Sequence, residues 1–293
     1  MLKIRPECIP CTIFSALRMA RYASSDLEMH KRVVRIMMER LVNVSWEEIP
    51  SDLAFEAQEV VSEVTGVRDP YSVVKKWSNK RAMELYPEMK KLVSCSENSL
   101  EMAVKLAALG NSIDFGYYSE VDLESILSKI GNMNFALLDL DEFERQVVDA
   151  EKLIYFVDNA GEIVFDKVLI ETMIDLRRRL FRRVTIVPKE EPLLNDATVV
   201  DVEEIMLNKL PNVVVKPIRR ERKTDPNLRI EGFRDWIRDH DLAVFKGQVN
   251  FEFFLDEPDA FFILIAKCPI IADTLGVPQG SPVLVHSPHL SKT

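Results

Sequence analysis

Between residues 10 and 109 apolar side chains recur at three-to-four spacing, the period of one face of an α-helix. The clearest instance is Val33, Val34, Ile36, Met37, Leu41 and Val42, with Asp26 placed ahead of it as an N-cap. The same spacing predicts helices near 10–23, 52–65, 70–85 and 97–109, and Asp69-Pro70 reads as an N-cap followed by proline in the first turn. Gly66 is the only glycine between Cys11 and Leu106, which suits an all-helical layer.

After Gly110 the pattern changes. Short apolar runs, LIYFV at 153–157, VTIV at 184–187, NVVVK at 212–216, LAVF at 242–245 and FFILIA at 261–266, alternate with helical stretches. That alternation predicts a parallel sheet wrapped by helices. The runs are apolar at consecutive positions, as in strands covered on both faces. A C-terminal pair near 269–271 and 283–286, with Pro278 and Gly280 between, predicts a hairpin at the sheet edge. The expected fold is therefore α/β: an α/β/α sandwich with a mostly parallel sheet over 110–293, preceded by an N-terminal all-helical region over 1–109. A shift of composition, not a linker, joins the two, so they can share one core.

Composition narrows the function. The chain has 293 residues, 47% hydrophobic and 29% charged, an ordinary globular balance. Its net charge of −9 disfavours a general nucleic-acid or anionic-membrane binder, so any bound phosphate must be met by a few placed cations. The apolar run at 261–266 falls far short of the ~20 residues that span a bilayer. The N-terminus MLKIRPECIPC has no continuous apolar segment of the secretory kind, which makes a reducing cytoplasm the expected compartment and the four cysteines thiols or ligands rather than disulfides.

Chemistry concentrates where the predicted strands end. The run at 153–157 is followed by Asp158-Asn159-Ala160-Gly161-Glu162 and then by an amphipathic helix carrying Ile163, Phe165, Val168, Leu169, Met173 and Ile174. Oxygen ligands thus meet a helix N-terminus, whose unpaired N–H groups favour an anion. Taken alone, the segment reads equally as an Asp/Asn/Gly turn capping a helix. Asp196 follows the next strand, Lys246 to Asn250 follow another, and Lys267 a fourth. Ligands of open α/β sheets bind outside the carboxyl ends of the strands, and four strand ends obey that rule together.

Taken in order, RPECIPC at 5–11, DPY at 69–71, GNSIDFG at 110–116, DNAGEIVFD at 158–166, NDAT at 195–198, KGQVNFE at 246–252 and AKC at 266–268 resemble the domain-of-unknown-function 89 family, also described as metal-dependent damage-control phosphatases. The matching segments span almost the whole chain, and the CxxC resembles the stand-alone prokaryotic branch. The resemblance implies a helical part packed on an α/β/α sandwich and hydrolysis of phosphomonoesters with a divalent metal. It implies Asp158, Asn159 and Asp196 as metal ligands, Gly161, Lys246, Gln248, Asn250 and Lys267 as phosphate surroundings, and Asp158, Glu162, Lys246 and Lys267 as catalytic groups. A eukaryotic branch has been described as protein carboxyl methyltransferases, which leaves the substrate open.

The donor types agree with that reading. Two carboxylates and an amide are hard oxygen ligands, suited to octahedral Mg²⁺, Mn²⁺, Co²⁺ or Ni²⁺ more than to zinc. The expected partner is a small phosphorylated metabolite, such as a sugar phosphate or a damaged cofactor precursor. The nucleophile is either water, with Asp158 or Glu162 as base, or Asp158 itself; water is preferred because a metal-bound carboxylate loses nucleophilicity.

Other features read as structural. FALLDLDEF at 135–143 mimics the hhhhDxD opening of haloacid-dehalogenase phosphatases but continues with Glu142-Phe143, so it is assigned to a helix start. Cys8 and Cys11 are half of a zinc or redox motif, or plain thiols, and Cys95 or Cys268 would have to fold beside them to complete a site. Arg177, Arg178, Arg179, Arg182 and Arg183 read as a solvated helix C-terminus, as do Arg219, Arg220, Arg222 and Lys223 around Glu221. Asn111 and Asp114 read as braces of a turn near the site. An S-adenosylmethionine methyltransferase is the alternative enzyme, disfavoured by the lack of a glycine-rich turn after a first strand. A non-catalytic metal, phosphate or RNA binder is the third class.

Overall fold

The computed structural model describes residues 2–112, 128, 130, 131, 133–219 and 226–290. The helical layer comprises α1 (Cys8–Ala23), α2 (Leu27–Leu41), α3 (Pro50–Thr65), α4 (Ser72–Cys95) and α5 (Ser99–Ser112). Asp26 caps α2 as expected, its Oδ1 accepting from the Glu28 N–H at 2.8 Å. The expected cap at Asp69-Pro70 is corrected. These residues form a preceding turn in which Asp69 Oδ1 accepts from the Tyr71 N–H, and α4 starts at Ser72. The same helix runs well past the expected end and through Pro87. Proline there removes one intrahelical hydrogen bond, but it lies on the exposed side while Leu85, Met89 and Val93 stay buried, and that burial outweighs the lost bond.

The α/β part follows as β1 (Leu137–Leu138), α6 (Leu140–Asp149), β2 (Lys152–Phe156), α7 (Glu162–Arg177), β3 (Arg183–Val187), α8 (Val199–Glu204), a 3₁₀ turn (Leu207–Lys209), β4 (Val213–Val215), α9 (Pro226–Arg238), β5 (Leu242–Lys246), α10 (Gly247–Phe254), β6 (Phe261–Ile265), α11 (Pro269–Leu275), β7 (Pro282–His286) and α12 (Ser287–Leu290). The strands lie in the order β1-β7-β6-β5-β2-β3-β4. Every neighbouring pair is parallel except β6 with β7. The fold is thus the expected helical region followed by a mostly parallel α/β sheet.

Two local expectations are corrected. Residues 269–271 open α11, because proline in its first turn is preset for a helix, and no hairpin forms there. Strand β7 is antiparallel to β6 but internal, since Leu137 and Leu138 pair outside it. FALLDLDEF therefore supplies a short edge strand before the helix start. The basic cluster is also not simply a solvated face. Arg177 is buried, donates to the carbonyls of Val147 and Val148 and lies 4.0 Å above the Phe181 ring, while Arg183 pairs with Asp239. Arg220, Arg222 and Lys223 lie outside the described residues, as does Asp114.

Period-two alternation divides the sheet between two cores. Leu153, Tyr155, Val184, Ile186 and Val244 face one side, where they meet Leu106, Ala107 and Leu109 of α5 and Phe165 and Leu169 of α7. Ile154, Phe156, Phe245 and Phe262 face the other, against Phe251 and Phe254 of α10. Helices α1–α3 enclose a third cluster, containing Met19, Met37 and Val60. Helix α5 thus covers part of one face of the sheet itself, and α4 packs on α5 and α7. No helix among the described residues is long and apolar enough to cross a membrane. Leu106→Ala, at a fully buried contact between the layers, should lower the unfolding free energy by roughly 2–5 kcal/mol. The urea midpoint measures it, and a loss below about 0.5 kcal/mol would mean that α5 is not part of the sheet's core.

Candidate active site

The chain order reverses between β2 and β5, which are sheet neighbours: β3 and β4 extend from one side of β2, and β5 to β7 from the other. Such a reversal opens a crevice at the carboxyl ends of the strands. Asp158 stands there, just past β2. Its carbonyl accepts from the Ala197 N–H at 2.8 Å, and Ala160 N–H donates to the Asn195 carbonyl at 2.9 Å. These bonds make an antiparallel bridge between Asn159 and Asp196, so residues 37 positions apart along the chain sit side by side.

The Asp158 carboxylate is fixed on several sides. Its Oδ2 accepts from Asn111 Nδ2 at 3.0 Å and from Asn159 Nδ2 at 2.8 Å. Gly247, at φ 77°, closes over it, and a Cβ there would stand 1.9 Å from Oδ2. Only glycine permits both that backbone conformation and that approach. Glu162, at the start of α7, accepts from Asn111 and Asn159, each at 3.0 Å, and from Lys246 Nζ at 2.7 Å. Lys246 Nζ also donates to Asp166 at 2.6 Å and to the Ala107 carbonyl at 2.9 Å, and Tyr155 donates to Asp166 at 2.9 Å.

Charge in this buried cluster is unevenly balanced. Burial, then the charges of Glu162 and Asp196, push the Asp158 carboxyl up to about 7 against the pull of Lys189 and Lys267. Burial acts on Glu162 in the same sense, but Lys246 and Lys267 outweigh it and hold Glu162 below its usual value. Burial raises Asp166 to about 6 although Lys246 opposes it. Lys246 itself is raised because Asp166 and Glu162 overcome the effect of burial.

The structure brings the sequence-identified residues to one end of the sheet but gives several of them other contacts than the resemblance implies. Lys246 is fully enclosed beneath the site, and its ammonium points at Glu162, Asp166 and α5. The N–H of Gly161 is taken by Asn79 Oδ1 at 2.7 Å. Asn250 donates to the carbonyls of Lys246 and Val157 and accepts from Lys189 Nζ at 2.7 Å. These three serve the frame of the site in this arrangement. Gln248 Oε1 accepts from the Lys267 N–H at 2.6 Å, and the exposed Lys267 side chain acts by charge on both Asp158 and Glu162.

Three contributors escape a reading by motif. Asn79, buried on α4, holds Gly161 with its oxygen and donates to Asp201 and Glu204 with its nitrogen. Gln58, on α3, donates to the Pro192 carbonyl at 2.8 Å and accepts from the Leu194 N–H at 2.9 Å, fastening the loop that leads to Asp196. Lys189, just past β3, is the third. A cleft of about 320 Å³ lies over this end of the sheet, lined by Phe55, Gln58, Ser62, Arg68, Lys189 and Asp196 among others. Only the residues of strand β3 and the loop after it could have been placed here from the sequence, because helix faces become neighbours only on folding.

Asp158, Asn159 and Asp196 make a donor set of two carboxylates and an amide. Among the described residues no group of three or more His, Cys, Asp or Glu side chains is arranged to hold a metal, so such a set depends on the amide. It fits a hard divalent cation in chemistry, and the Asp158 carboxyl, raised first by burial and then by the charges of Glu162 and Asp196, is one that a cation would stabilise. Cys8, Cys11, Cys95 and Cys268 are free thiols.

The architecture is that of an α/β protein whose switch-point crevice holds an acidic, lysine-flanked cluster. The damage-control phosphatase ARMT1-like domain matches residues 4–283, and the chain belongs to that family. A damage-control phosphatase of Pyrococcus horikoshii is 31% identical over 98% of this chain and 99% of its own length. One of Archaeoglobus fulgidus is 28% identical over 96% and 98% respectively. The crystal structure of a DUF89 family protein from Pyrococcus horikoshii superposes with a TM-score of 0.84 at 30% identity, covering 98% of this chain and all of that one.

Two outcomes follow from the Asp158 geometry. Gly247→Ala must displace the carboxylate or the turn, and should cut phosphate release roughly 100-fold. Activity kept within a few-fold would mean that Asp158 has another position to occupy. The second concerns pH. Folding raises Asp158 from an unfolded value near 4 to about 7, so the metal-free fold binds this proton more tightly and loses stability as pH rises across that interval. Asp158→Asn, which cannot ionise, should exceed the parent in stability near pH 8 by up to about 4 kcal/mol, with the gap closing only below about pH 4. Parallel melting curves against pH in chelator would refute that burden.

Proposed function

We propose that this chain is a divalent-metal-dependent phosphatase that hydrolyses a small phosphorylated metabolite, a sugar phosphate or a damaged cofactor precursor. The observation that carries the reading is the Asn159–Asp196 bridge, which joins the backbone segments that carry Asp158, Asn159 and Asp196 at the switch point, beside a cleft of small-molecule size. Family membership supplies the reaction class.

Asp158, Asn159 and Asp196 would hold Mg²⁺, Mn²⁺, Co²⁺ or Ni²⁺. When bound, the ion supplies Lewis acidity to the phosphoryl oxygens and to water. The chain's own residues do the rest. Asn159 donates both amide hydrogens inward, to Asp158 and Glu162, which orients its carbonyl oxygen for a ligand role. Glu162 acts as the anchor of that orientation, since its oxygens already accept from Asn111, Asn159 and Lys246. Lys246 keeps Glu162 ionised from below. Lys267 and Gln248 stand at the open side, where an ammonium and an amide can orient a phosphoryl group.

Water is the preferred nucleophile. Asp158 is clamped by two amides and roofed by Gly247, so it lacks the freedom to swing onto phosphorus. A water molecule in the cleft has it.

Release of inorganic phosphate from a panel of phosphomonoesters by chelator-stripped protein, with each cation added back, tests the reading. Turnover should require metal and fall at least about 100-fold in both Asp158→Ala and Asp196→Ala. Full activity in either variant would overturn the site assignment.

A further inference from the structure

Asp158 and Glu162 are neighbouring buried carboxylates, and like charges out of water stay together only where donors stand between them. Two amides do this. Asn159 Nδ2 donates to Asp158 Oδ2 at 2.8 Å and to Glu162 Oε2 at 3.0 Å, and Asn111 Nδ2 donates to the same two oxygens, each at 3.0 Å. The four bonds close a ring in which each oxygen accepts from both amides and each amide spends both its hydrogens. Asn159 belongs to the strand end that carries Asp158. Asn111 comes from the helical layer.

Asn111 is 3% exposed and lies in the last turn of α5, not in a turn outside it. Gly110 lets that end of α5 close on α7, since a Cβ there would stand 3.0 Å from Phe165 Cγ. The sense of the Asn111 amide is fixed by its oxygen, which accepts from the Ile265 N–H at 3.2 Å. Reversed, it would set its oxygen against two carboxylates and its nitrogen against an N–H donor. Ile265 ends β6, two residues before Lys267. At Asp158, every hydrogen bond to the carboxylate among the described residues ends on Oδ2, which leaves Oδ1 to a ligand.

We propose that Asn111 is a positioning residue of the metal site: by sharing Asp158 Oδ2 with Asn159 it commits Oδ1 to the cation, and through Ile265 it ties that carboxylate to the strand that leads to Lys267. This rests on the divalent-metal reading. Asn111 is not itself a ligand, because its hydrogens and its oxygen are engaged. The sequence conceals the role, since the carboxylates it serves lie 47 and 51 residues further along the chain.

Two readouts on chelator-stripped protein test this in the parent, Asn111→Leu and Met37→Ala: Mn²⁺ affinity, from the paramagnetic resonance of the free ion, and the d–d absorption of bound Co²⁺. Asn111→Leu keeps the volume but removes the donors, and should weaken Mn²⁺ at least about tenfold and shift the Co²⁺ bands. Met37→Ala, a loss of core among α1–α3 that lowers stability, should leave both readouts as in the parent. If Asn111→Leu does not fold, Asn111→Ala takes its place, and failure of both to fold would assign Asn111 to the fold alone and overturn the proposal. Parent-like Mn²⁺ affinity or unchanged Co²⁺ bands in a folded Asn111 variant, or an equal loss in Met37→Ala, would also overturn it. A parent that binds neither ion would overturn the metal reading and this inference with it.

Discussion

Three acidic side chains, Asp158, Glu162 and Asp166, spaced four residues apart, are buried at the end of a parallel sheet, and the fold has to keep them there. Burial of a carboxylate is costly unless hydrogen bonds or an opposite charge compensate it. The ammonium of Lys246 does so for the two that lie deeper, and the amides of Asn111 and Asn159 serve the two nearer the crevice. Compensation is complete at Glu162 and incomplete at Asp158, which is why their proton affinities move in opposite directions. The residual negative charge at Asp158 is what a divalent cation would satisfy in the proposed function.

The lysines divide by depth. Lys246 belongs to the foundation, Lys189 donates to Asn250, and Lys267 stands at the rim.

The helical layer is part of the site and not only a cover. Asn79 of α4 takes the Gly161 N–H, Asn111 of α5 bridges Asp158, Glu162 and the Ile265 N–H, and Gln58 of α3 fastens the loop before Asp196. Each is an amide, able to donate and accept at once, and so able to tie two loops that lack a common strand. The cleft that would receive the organic part of a substrate has α3 as one wall.

Much of this was legible without coordinates. Buried parallel strands need consecutive apolar residues, so five of the seven strands stand out along the chain, and the Asp-Asn-Gly and Asn-Asp groups at their ends are local chemistry that a pattern reveals. The two-residue β1 is too short to carry a period, and Pro269 reads equally as a turn or a helix start, so the order of the far edge of the sheet was not legible. The sequence by itself determined the α/β class, the helical layer and the acidic strand ends, because those follow from periodicity and residue type over a few neighbours. Only tertiary structure decided that Lys246 faces down, that the Gly161 N–H belongs to Asn79, and that Gly247 must be bare where it closes over Asp158. Those are contacts between segments far apart in the chain, set by which surfaces pack, and no local pattern encodes them.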